Sequence, residues 1–164
     1  MQVQVGFSHS KHPNIMTHLQ MWYFKIKYSH AYIRFQYGML DLVLHSTGIG
    51  MHVVSYSTFC SKREPVMEFT VTTDEASYEA FVASAFDKTG TPYGSKQMFF
   101  AGLARVFKWK KNPFGNEIET FCSKTVGTKL EKYFHVDLPG DSNLWVPMDL
   151  CEYLKKTGYA KRDF

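Results

Sequence analysis

The stretch SHAYIRFQYGMLDLVLHS, residues 29–46, decides how the chain is read. Over SHAYIRFQY (29–37) apolar and polar side chains alternate. A strand there puts Ala31, Ile33 and Phe35 on one face and His30, Tyr32 and Arg34 on the other. Gly38 is a turn signal, and MLDLVLHS (39–46) reads as a second strand returning beside the first. The register decides whether two histidines meet. A Tyr37–Gly38 turn sets His30 directly opposite His45. A Gly38–Met39 turn sets His45 opposite Tyr32, one diagonal step from His30 on the same face. A three-residue loop puts them on opposite faces.

Outward from this hairpin, MQVQVGFS alternates weakly as a first strand, and SKHPN breaks it at Pro13. Ile15, Leu19 and Trp22 then fall at helical spacing. On the other side TGIG turns the chain, MHVVSYS predicts another strand, and VMEFTVT (66–72) one more, with Pro65 at its start. Short strands joined by tight turns predict an antiparallel sheet. The character changes at TTDEASYEAFVASAFDKTG (72–90), where Thr73 or Asp74 can cap a helix with an apolar stripe of Ala76, Phe81, Ala85 and Phe86, closed by Lys88 and Gly90. GTPYGSKQMFFAGLARVFKWKK gives a turn and a second, shorter helix. A third runs from Thr120 or Phe121 to about Tyr133, and Pro147 to Lys156 forms a last amphipathic helix. A strand-rich half followed by a helix-rich half predicts an α+β fold, the N-terminal sheet packed on C-terminal helices. The length fits a single domain, residues 1–164, with one core.

Hydrophobic residues make up 45% of the chain and aromatics 16%, which excludes a disordered class. The net charge of +4 is mildly basic, far from a histone-like value. Three cysteines, Cys60, Cys122 and Cys151, lie far apart with no CxxC pair, which suits a reducing compartment better than a disulfide framework. MQVQVGFSHSKHP has no basic start followed by an apolar run, so no secretory signal is expected. No run approaches the ~20 apolar residues of a membrane span. The expected location is cytoplasmic, in a host cytoplasm or virion for a viral chain.

In EIETFCSKTVGTKL (117–130), Cys122 falls in the first turn of a predicted helix. Unpaired backbone N–H groups and the helix dipole there favour an anion, which lowers a thiol pKa and can hold an oxyanion. Free cysteine is also among the most buried residue types, so a packing role stands beside a nucleophilic one. A nucleophile needs a base and the base an orienting group. His30 can accept the thiol proton and His45 can fix its tautomer in two of the three registers. His30, His45 and Cys122 could otherwise be three zinc ligands, although no closely spaced ligand pair is present. His9 and His12 make an i, i+3 pair without a carboxylate or cysteine nearby, and His18, His52 and His135 have no partner in sequence.

The order SHAYIRF, LVLHSTGIG, GTPYGSKQ, ETFCSKTV resembles the circularly permuted papain-like hydrolases of the YiiX-like and lecithin retinol acyltransferase-like kind, and NlpC-type peptidases with the cysteine helix moved to the end. The resemblance spans roughly residues 5–155. It implies a permuted papain-like fold with His30 as base, His45 as third group and Cys122 as nucleophile. Tyr93, in the G-x-P-Y segment, would lie near substrate, or be a packed turn tyrosine; Tyr32 is a second candidate substrate contact. Ser123 matches a helix-start serine with no chemical role. Ser46 follows His45 where the family has a small alanine. GFSHSKHPNIMTHLQMW looks like the opening segment of small phage-encoded members. The implied activity is cysteine-dependent hydrolysis or acyl transfer at an amide, peptide or ester bond, through a Cys-His-His triad and a thioester, with a peptide, lipid or other acyl substrate and neither cofactor nor metal.

Two other classes compete. One is a non-catalytic, viral binding protein on the same scaffold, engaging a host protein, membrane or nucleic acid; the other is a zinc-binding module. RVFKWKKNPFGN (105–116) interleaves basic and aromatic residues as single-strand and membrane binders do. A solvated loop is its ordinary reading, so the chain carries no strong nucleic-acid signal. MFFAGLARVF (98–107) could line an acyl groove but reads as a core helix. Trp109 and Trp145 read as core residues, and Cys60 and Cys151 as inert.

Overall fold

The structure of the chain is a computed structural model that describes residues 1–12 and 28–164. The helical spacing at Ile15, Leu19 and Trp22, and His18, lie outside the described residues. The sheet holds β1 (Gln2–Ser10), β2 (His30–Tyr37), β3 (Leu40–Thr47), β4 (Gly50–Ser55), β5 (Arg63–Thr72) and β6 (Lys161–Asp163). All pairings are antiparallel and the order is β4-β3-β2-β1-β5-β6. Among the described residues five α-helices accompany the sheet in this mixed α+β fold: α1 (Tyr56–Lys62), α2 (Glu75–Asp87), α3 (Ser95–Phe107), α4 (Cys122–Phe134) and α5 (Pro147–Lys156).

The quoted hairpin takes the Gly38–Met39 turn, with Tyr37 opposite Leu40 and Ile33 opposite Leu44. Gly38 sits at φ 59°, where glycine alone bears no Cβ penalty, and this fixes a two-residue connection. The alternation then sorts the sheet. Ala31, Ile33, Phe35, Leu42 and Leu44 join Val5 and Phe7 on the face covered by α2 and α4, where Phe81, Val82, Val126 and Leu130 are buried against them. Tyr32 and Val43 point the other way and are covered by Phe59 of α1.

Tyr32 lies flat across the neighbouring strand. Its hydroxyl donates to Glu68 Oε1 at 2.8 Å, passing over Gly6 of β1. A Cβ at Gly6 would stand 2.0 Å from Tyr32 Cζ, so only glycine fits beneath the ring. Arg34 completes the group, reaching Asp41 at 2.7 Å and Glu68 at 3.3 Å while stacking on Tyr56.

Four elements differ from the sequence reading, the first being β6, a C-terminal strand that joins the sheet beside β5 where no strand was expected. β5 starts at Arg63, and Pro65 lies inside it, tolerated because the β1–β5 ladder shifts by one residue between Phe7 and Ser8. Residues 56–62 turn helical instead of continuing the β4 strand: Ser55 caps them, its Oγ accepting from the Thr58 amide at 3.1 Å. The buried stripe of α2 is Tyr78, Phe81, Val82 and Ala85, whereas Ala76 and Phe86 are exposed. The expected cap of that helix is Asp74, whose Oδ1 accepts from the Ser77 amide. Among the described residues no helix is long and apolar enough to cross a membrane.

Candidate active site

The chemistry-bearing residues gather at one end of the sheet. His30 opens β2, His45 stands near the end of β3, His52 near the start of β4, and Arg63 opens β5. His30 Nε2 and His45 Nδ1 are 3.0 Å apart, as the diagonal register requires. Both rings are buried, and Phe59 packs on each. His45 also lies against His52, with ring centroids 4.3 Å apart.

Cys122 is the first residue of α4 and is buried. The backbone amide of Ala31, next to His30, lies close enough to the sulfur to favour its thiolate, as does that of Ser123. The next three residues moor this helix start. Ser123 Oγ donates to the Trp145 carbonyl at 2.6 Å. Lys124 Nζ donates to the Glu119 carbonyl at 3.2 Å, to the Asn116 carbonyl and to Gln97 Oε1. Thr125 Oγ1 is 2.7 Å from both Ser46 Oγ and Thr120 Oγ1. Ser46 therefore ties the strand of His45 to the helix of Cys122.

Burial dominates the electrostatics. His45 is pushed down to about 3 by burial, then by His52, Arg63 and Lys62. His30 is held well below the ordinary imidazole value by burial, with Arg63, His45 and His52 adding to it. The Cys122 thiol is raised by burial, against the smaller stabilising effects of the Ala31 amide, Arg63 and Ser123. This corrects the expectation of a lowered thiol: the helix N-terminus is outweighed by the loss of water around the sulfur. Burial thus favours the neutral form of the thiol and of both imidazoles. No hydrogen bond joins the sulfur to either ring.

Tyr93 is tied to Thr120, two residues before Cys122, by a short parallel bridge, supported by the Gly94 amide on the Thr120 carbonyl at 2.8 Å and the Thr120 amide on the Pro92 carbonyl at 2.9 Å. Its hydroxyl donates to Met98 Sδ at 2.8 Å, and its pKa is raised by burial and by the proximity of Cys122. Tyr32, the second candidate substrate contact, is fully buried and its hydroxyl is held by Glu68. Among the described residues no three histidine, cysteine or acidic side chains converge to hold a metal ion. Cys60 is partly exposed and Cys151 is buried beside Met67.

His52 and Arg63 were not read as site residues. For His52 a signal existed: a two-residue Gly48–Ile49 turn makes His45 and His52 cross-strand partners, as observed. Arg63 has no local signal, because its position depends on the sheet order. The basic aromatic segment stands apart as an exposed cluster of Phe107, Trp109 and Phe114 around Phe100, so Trp109 is not a core residue, whereas Trp145 is. Helix α3 buries Gln97, Ala101 and Ala104 and exposes Phe99 and Phe107. Comparison with family models and with curated proteins finds no match.

Proposed function

We propose that the chain is a cysteine-dependent hydrolase or acyltransferase of circularly permuted papain-like fold, acting on an amide, peptide or ester bond. The observation that carries the reading is the 3.0 Å His30–His45 pair with the Ala31 amide, one residue on, facing the Cys122 sulfur. With Nε2 committed to His45, Nδ1 is the His30 nitrogen left to receive the thiol proton. Because thiol and imidazoles rest neutral, proton transfer accompanies attack instead of preceding it. Sulfur adds to the carbonyl carbon, the carbonyl π pair moves to oxygen, and the Cys122 backbone N–H meets that oxyanion. Collapse expels the amine or alcohol, which takes its proton from His30, and leaves a thioester. Water or another acceptor, deprotonated by His30, adds to the thioester and releases the thiol.

An electrophilic acyl probe tests this. Labelling of Cys122 in preference to the more exposed Cys60, lost in His30→Ala, supports it. Labelling of Cys60 alone overturns it.

A second reading, a binding protein on this scaffold, is favoured by the exposed Phe107, Trp109 and Phe114 beside Lys108, Lys110 and Lys111. Cosedimentation with phosphatidylserine vesicles, lost in Trp109→Ser, together with an unlabelled Cys122, would establish it.

A further inference from the structure

We propose that the cleft between the β3–β4 turn and α1 is an anion-binding subsite that receives a carboxylate or phosphate group of the substrate. The cleft measures about 360 Å³, and His45, His52, Lys62 and Arg63 all line it. Thr47 and Thr58 add hydroxyls, and no carboxylate is among its lining residues.

Two features point to a missing acceptor. Arg63 is half-buried, yet among the described residues no hydrogen bond or ion pair engages its guanidinium. Residues 13–27 carry no aspartate or glutamate either. A cation withdrawn from water without a counter-charge is costly, and guanidinium's fork of donors matches an oxyanion in two bonds. The second feature is His45 Nε2, buried without a partner among the described residues, on a ring that lines the cleft. If His30 keeps its proton on Nε2, His45 accepts it at Nδ1 and carries its own proton on Nε2. That proton needs an acceptor, and an anionic group in the cleft supplies one.

Arg63, one wall of the cleft, also feels the charges of Cys122 and Tyr93, and His45, another wall, pairs with His30 at 3.0 Å, so the cleft connects to the site. What the anion belongs to, a substrate bearing an acyl group, rests on the reading above; the subsite itself rests on the cleft.

The test is titration of the full-length Cys122→Ala chain with inorganic phosphate and, separately, with acetate, following the His45 and His52 imidazole resonances. Saturable shifts of both rings are expected, and the tighter anion identifies phosphate or carboxylate as the group taken. Arg63→Gln should weaken binding at least about tenfold, the worth of a charge-assisted hydrogen bond. Lys62→Gln, at an exposed position, should weaken it measurably with the core untouched. Shifts that never saturate, or an affinity unchanged in both variants, would overturn the subsite. The readout needs no thiol. Anion binding with Cys122 unlabelled by the acyl probe therefore overturns acyl transfer alone, and labelling without anion binding overturns the subsite alone.

Discussion

Ser46 Oγ lies 2.7 Å from Thr125 Oγ1, one turn into the helix that Cys122 begins, and this contact joins the strand of His45 to that helix. Ser46→Ala removes it but leaves Thr125 its bond to Thr120. The expected loss of stability is about 1 kcal/mol. A larger effect is expected on the site: Cys122 labelling should slow several-fold, because small displacements of reacting groups cost rate steeply. Unchanged labelling would show that other contacts hold the helix start.

Gly6 tests the opposite face. Gly6→Ala places a methyl where Tyr32 crosses β1, and neither the ring nor the central strand can yield cheaply. Overpacking of this kind costs about 3 kcal/mol, read as a lower denaturation midpoint. A wild-type midpoint would contradict the placement of Tyr32 over Gly6.

Acid stability follows from the buried imidazoles. His45 folds with its pKa at about 3, and His30 is also depressed. The unfolded chain takes up these protons near pH 6.5 and the folded one does not. Their contribution is therefore complete above about pH 6.5 and declines as pH falls, by about 1.4 kcal/mol per pH unit for each ring that stays neutral. For His45 the decline continues toward pH 3. Chemical denaturation from pH 7 to 4 checks the slope, which His45→Gln should reduce.

The thiol should show the complementary behaviour. With its pKa raised by burial, Cys122 should alkylate slowly at pH 6 and faster as the solution turns alkaline. Arg63→Gln, which removes a nearby positive charge, should move that profile to still higher pH. A fast plateau already at pH 6 would mean a thiolate that the enclosed sulfur does not support.

The sheet and the histidine pair were legible because alternation and a two-residue turn act locally. His30, Ile33 and Leu44 are placed once Gly38 closes the hairpin. The start of α4 was legible from TFCSKTV, and α5 ran over Pro147 to Lys156 as read. The sequence did not reveal the outcome of competing effects. Helix-terminal amides and desolvation pull Cys122 in opposite directions, and only its depth beneath Ala31 decides between them. Arg63 escaped notice because the β1–β5 pairing, not its neighbours in sequence, brings it to the site. The tie of Tyr32 to Glu68 was hidden for the same reason: Glu68 lies on a strand two positions away.

The strand order has a consequence during synthesis. All strands that carry His30, His45 and Arg63 are on the chain once Thr72 has been added, and β1 already has both its partners. Cys122 follows roughly 3–10 s later at usual elongation rates of 5–20 residues/s. The basic pocket and its paired imidazoles can therefore be assembled on the nascent chain before Cys122 exists. Under the acyl chemistry proposed above, the unfinished chain lacks its nucleophile until its last third is made.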